Sequence, residues 1–123
     1  MKVCVPSRAP GGPDVPLGTP FEETDLLDYY ELRPDGQFEH LAQMRNCGGG
    51  ACVEPAEAIK HRGVQSVVVA SLAPSALMRF HNYGITVFAA DHIPVREALR
   101  MLAEGRLREV TIDEFPRLRN EKR

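Results

Sequence analysis

Three stretches of this chain open on proline and close on glycine: Pro55 to Gly63, Pro74 to Gly84 and Pro94 to Gly105. Proline suits the first helical position, where its missing N–H costs nothing, and glycine supplies the left-handed residue that ends a helix. Between these helices lie Val64 to Ala70 and Ile85 to Ala90. Both are short, apolar and β-branched, as strands covered on both faces should be. Leu77 and Phe80 fall on one face of the second helix, and Val95, Ala98, Leu99 and Leu102 on one face of the third. Strand alternating with helix demands parallel strands joined by right-handed crossovers. That rhythm constrains the fold more than any other feature.

The first half reads differently. Met1 to Pro6 is a short strand, with Val3 and Val5 on one face and Cys4, a small buried hydrophobe, on the other. Residues 7–20 hold four prolines and three glycines and make a long irregular loop. Residues 26–33 and Phe38 to Met44 flank the turn signal Pro34-Asp35-Gly36 and form an antiparallel hairpin. The predicted order is β-β-β-α-β-α-β-α in one domain over residues 1–112. A charged tail, 113–123, follows, and one more short strand or helix is expected around Val110 to Phe115. If the second strand alone runs backwards, the loops 7–13, 45–53, 70–74 and 90–94 gather along one carboxyl edge. Ligands of open α/β sheets bind at such an edge.

A net charge of −2 gives no electrostatic case for nucleic acid. No run reaches the roughly 18 apolar residues that span a bilayer. The opening residues read as a strand rather than a signal peptide, so the cytoplasm is the default location. Three cysteines do not make a disulfide framework.

Chemistry concentrates in Asn46-Cys47-Gly48-Gly49-Gly50-Ala51-Cys52. Successive glycines allow positive φ and close approach of a ligand to backbone N–H groups. Cys47 and Cys52 are soft ligands for an iron–sulfur species, and a thiol near a helix start is biased toward thiolate. Two thiols cannot complete a tetrahedral set. A second copy of the chain, a histidine or the cargo's own ligands would supply the rest. His92, just past the fifth strand, is the best extra ligand, though a solvated loop histidine explains it as well. Ser7 and Arg8 after the first strand could contact an anion, or simply form a turn. The same loop could equally be a tight strand-to-helix connection, or the anion site of a small regulatory module. Asp25 and Asp28 form no recognisable catalytic pair, and no nucleophile–base order is visible, so an enzyme is not expected.

Several segments resemble the dinitrogenase iron–molybdenum cofactor biosynthesis domain, found in small NifX-like proteins and the C-terminal part of NifB. They are Lys2-Val-Cys-Val-Pro-Ser7, Gly48-Gly-Gly-Ala-Cys-Val-Glu-Pro-Ala-Glu-Ala-Ile59, Arg62-Gly-Val-Gln-Ser-Val-Val-Val-Ala70, Tyr83-Gly-Ile-Thr-Val-Phe88 and Val95-Arg-Glu-Ala-Leu99. The resemblance implies a ribonuclease-H-like three-layer α/β/α fold with a five-stranded mixed sheet of order 3-2-1-4-5. It also implies a non-catalytic carrier of an iron–sulfur or iron–molybdenum cofactor precursor, working with a metallocluster assembly or acceptor protein, with a homodimer as one arrangement. Two departures stand out. Where the family often has His-Phe-Gly, this chain has Pro20-Phe21-Glu22, and where the loop before the second helix is often glycine-rich it has Ala70-Ser-Leu-Ala-Pro74.

Overall fold

The first strand, β1 (Lys2–Ser7), ties the two halves of the sequence together. In the computed structural model, which describes residues 1–45 and 55–112, it pairs antiparallel with β2 (Leu26–Leu32) and parallel with β4 (Ser66–Val69). β2 in turn pairs antiparallel with β3 (Phe38–Arg45), and β4 pairs parallel with β5 (Thr86–Ala89). The helices α1 (Pro55–His61), α2 (Pro74–Asn82) and α3 (Val95–Ala103) lie between or after the parallel strands. The expected order 3-2-1-4-5 is therefore present.

It is extended by a sixth strand, β6 (Arg108–Val110), antiparallel to β5 with Val87 opposite Val110. The sequence predicts five strands and one further short strand or helix around Val110 to Phe115. Three residues are too few to show a strand's alternation, yet they bury Val110 against the β5 edge.

Alternation along each strand divides the core. Cys4, Leu27, Tyr29 and Val67 face one way and pack with Ile59 of α1 and Leu77 and Phe80 of α2. Val3, Val5, Tyr30 and Val68 face the other way and pack with Val95, Ala98, Leu99 and Leu102 of α3. The result is three layers. Gly63, Gly84 and Gly105 follow the helices with φ of 73°, 77° and 72°, the left-handed stop their positions predicted. Pro55 and Pro74 begin their helices, but Pro94 stands one residue ahead of α3 as its N-cap.

Candidate functional site at the carboxyl edge

β1, β3, β4 and β5 run in one direction, so the segments that follow them emerge along one edge. Most of the described part of that edge is built by residues 8–20, which form a strap. At its start the Ala9 N–H donates to Asp25 Oδ2 (3.1 Å) and the Gly12 N–H to Asp28 Oδ2 (3.0 Å). Further along, the strap lies beside the loop before α3. Leu17 N–H donates to the Ile93 carbonyl (2.8 Å), and the carbonyls of Val15 and Pro13 accept from Val95 (3.0 Å) and Arg96 (2.8 Å). A helix start has free N–H groups, and Pro94 has no side chain that could cap them. The strap's carbonyls perform that task, and Asp14 pairs with Arg96 at 2.6 Å.

Asp28 anchors the strap from below. It is fully buried in the middle of β2. Its Oδ1 faces His40 Nε2 at 3.0 Å and accepts from Gln43 Nε2 at 2.9 Å, while its Oδ2 holds Gly12. The second Gln43 amide hydrogen reaches the Pro10 carbonyl at 3.1 Å. His40 and Gln43 are three apart, so a regular strand would point them to opposite faces. A bulge in β3 changes this. Tyr30 pairs with His40 and Asp28 with Gln43, and the extra residue lies between. The His40 ring then stacks on Tyr30, with centroids 4.7 Å apart. The Tyr30 hydroxyl is buried with no hydrogen-bond partner among the described residues. Nothing in the sequence ties Asp28 to His40. The available signal is a lone carboxylate inside Leu26-Leu27-Asp28-Tyr29-Tyr30, which must find donors if the strand is buried.

The expected site residues divide into three groups. Ser7 is buried and its hydroxyl donates to the Val5 carbonyl at 3.1 Å, so it is turned into the sheet. Arg8 is exposed, its Nε 4.0 Å from Asp25 Oδ2. His92 has φ of 63° and a side chain 89% exposed, its Nε2 3.4 Å from Asp91 Oδ2. Arg8 follows the central β1, and His92 follows β5, two strands away, roughly 10 Å at ordinary strand spacing. β3, which precedes residues 46–54 in sequence, lies two strands to the other side. Asn46, Cys47, Gly48, Gly49, Gly50 and Cys52 lie outside the described residues.

Cys4 is a buried free cysteine. Burial, and next the charge of Asp28, push its thiol well above the ordinary range, which suits packing and not ligation. Among the described residues, no group of three or more His, Cys, Asp or Glu side chains could hold a metal ion.

Residues 20–22 and the segment 70–74 meet in space. The Phe21 N–H donates to the Ser71 carbonyl at 2.8 Å, and Glu22 Oε2 accepts from the Ala73 N–H at 2.9 Å, one residue ahead of α2. The Phe21 ring stands edge-on to Phe80 at 5.5 Å. Phe21 and Glu22 thus hold the loop before α2 against the segment that follows the strap.

These features define a class of protein: a three-layer α/β domain whose mixed sheet gathers its loops at one carboxyl edge. The chain belongs to the dinitrogenase iron–molybdenum cofactor family, whose profile matches residues 1–105. Solved structures share the fold. The apo orange protein of Desulfovibrio gigas is 17% identical, with a TM-score of 0.69 over 89% of this chain and 92% of that one. A candidate NifB protein from Thermotoga is 20% identical, with a TM-score of 0.69 over 89% and 93%. A candidate dinitrogenase from Methanocaldococcus jannaschii is 14% identical, with a TM-score of 0.66 over 89% and 94%. No curated protein sequence matches the chain. Among the described residues, no helix is long and apolar enough to cross a membrane.

Proposed function

We propose that this protein is a non-catalytic carrier that binds an anionic iron–sulfur or iron–molybdenum cofactor precursor at the carboxyl edge. It would pass this cargo to a metallocluster assembly or acceptor protein in the cytoplasm. What supports the reading is the family profile over residues 1–105, together with the order of the chain: residues 46–54, which hold both remaining cysteines, follow the carboxyl end of β3 in sequence. In this reading Cys47 and Cys52 ligate the cargo, and backbone N–H groups of Asn46, Gly48, Gly49 and Gly50 face its sulfides. Arg8 offsets its negative charge, and Ser7 contributes by fixing the turn that presents Arg8. His92, a second copy of the chain or the cargo's own sulfide completes the ligand set.

Anaerobic reconstitution with ferrous iron and sulfide tests this. The expected result is a visible sulfur-to-iron charge-transfer band that disappears in Cys47→Ser/Cys52→Ser. No band, or one indifferent to both substitutions, would overturn the reading. Phosphate-competed anion binding that survives both substitutions would point instead to a regulatory module with an anion site in the glycine loop.

A further inference from the structure

The sheet has two edges. β6 forms one with three residues, too short to template a partner. β3 forms the other with eight, and six of them are exposed. Among the described residues, no strand pairs with the outer side of β3. An edge strand keeps a row of unpaired N–H and C=O groups there, and natural sheets guard it with charges, proline or brevity. Here the edge carries apolar side chains instead. Three large hydrophobic residues are exposed among those described, and two of them, Leu41 (44%) and Met44 (43%), lie on β3. Leu41 is the extra residue of the bulge. Tyr30 pairs with His40 and Tyr29 with Ala42, so Leu41 has no counterpart in β2.

The charges along β3 select the partner. Glu39 lies near its start and Arg45 at its end, with Ala42 midway between them. A second β3 laid antiparallel, with a two-fold axis near Ala42, brings each copy's Glu39 to within about one residue of the other copy's Arg45. Parallel pairing in register would set like charge against like. Glu39 has Arg33 3.8 Å away in its own chain, but that pair is exposed and holds it loosely. The small side chain of Ala42 leaves room at the axis, and the two Leu41 residues come close beside it. A bulge mismatches a regular strand, whereas a second copy presents the same bulge with the same twist.

We propose that β3 is a homodimer interface. Two copies of this chain join β3 to β3, antiparallel, into one continuous sheet with six strands from each. A single pair of strand edges is smaller than a standard interface, so the dimer is weak and concentration-dependent. The proposal does not rest on the cargo reading.

Sedimentation of the full chain over a concentration series, up to roughly 1 mM, reads the association directly. The expected result is a monomer–dimer equilibrium. In a mixture of isotope-labelled and unlabelled native chain, filtered NMR should show contacts from the Leu41 methyls to β3 of the other copy. Leu41→Lys, which sets like charges beside the axis, should weaken association roughly tenfold. Glu39→Arg and Arg45→Glu should each weaken self-association. Mixed in equal amounts they should form a hybrid dimer, because each arginine then meets a glutamate. A native chain that stays monomeric throughout overturns the proposal and leaves the edge to a strand of a different protein. A dimer without the Leu41 contacts overturns it too, as do folded charge variants that form no hybrid. The contacts are read in the native sequence, so a variant that fails to fold leaves the test intact.

Discussion

At the scale of single residues, Asp28 shows what a carboxylate inside an apolar strand requires. Its oxygens are met by Gly12, His40 and Gln43, so the burial cost is offset by hydrogen bonds and one spine of the strap is fixed. Asp28→Asn keeps the shape but puts an amide hydrogen where Asp28 now accepts. Denaturant unfolding should show a loss of about 2 kcal/mol, with faster exchange at the Gly12 amide. Gly11 gives a second reading of the same spot. A Cβ there would come within 2.5 Å of Gln43 Nε2 and 2.9 Å of Asp28 Oδ2, at φ of 73°. Gly63 has the same φ of 73° and open space around it. Gly63→Ala should therefore cost only the left-handed penalty of about 1 kcal/mol, and Gly11→Ala clearly more. Equal losses in urea melts would show that the strap yields freely and does not bear on Asp28. The sequence announced the lone carboxylate but not its partners. Those partners depend on a bulge, and a bulge changes the facing of His40 against Gln43 without leaving a periodic mark.

At the scale of elements, the helices and the five main strands were legible because proline and glycine punctuate them and β-branched runs separate them. The strap was legible only as irregular chain. Its function as the cap of α3 comes from backbone carbonyls, which every residue type carries, so no sequence signal marks it. For the candidate site, the sequence points by residue type to Cys47 and Cys52, which lie outside the described residues. The inward turn of Ser7 was not legible, because a serine at a strand end can bond inward or outward with equal ease. The Glu22 contact with Ala73 is another tertiary cap, reached from 51 residues away. Glu22→Ala should lower stability by about 1 kcal/mol and raise exchange in the first turn of α2, with β5 unaffected. An unchanged first turn would mean the carboxylate is incidental there.

For the whole molecule, the two faces of the sheet bury groups that must stay neutral. Burial pushes the Cys4 thiol and the Tyr29 and Tyr30 phenols above their ordinary values of 9.0, 10.0 and 10.0. In the unfolded chain these groups lose protons as pH climbs past those ordinary values, while the folded protein keeps them. Above pH 9 the unfolded state thus binds fewer protons, and stability falls with rising pH. Below that range the contribution is fully present. The urea midpoint should hold steady up to about pH 8.5 and then decline, with Cys4→Ala delaying the decline into the phenol range. A midpoint flat to pH 11 would contradict the burial of these groups. The central position of β1 carries one more consequence, for biosynthesis. Its antiparallel neighbour ends at residue 32 and the meander is complete at residue 45, whereas its parallel neighbour begins only at residue 66. A ribosome making this protein therefore releases a half-sheet with one flank of its first strand open, and that flank waits for the crossover helix to be translated before it is sealed.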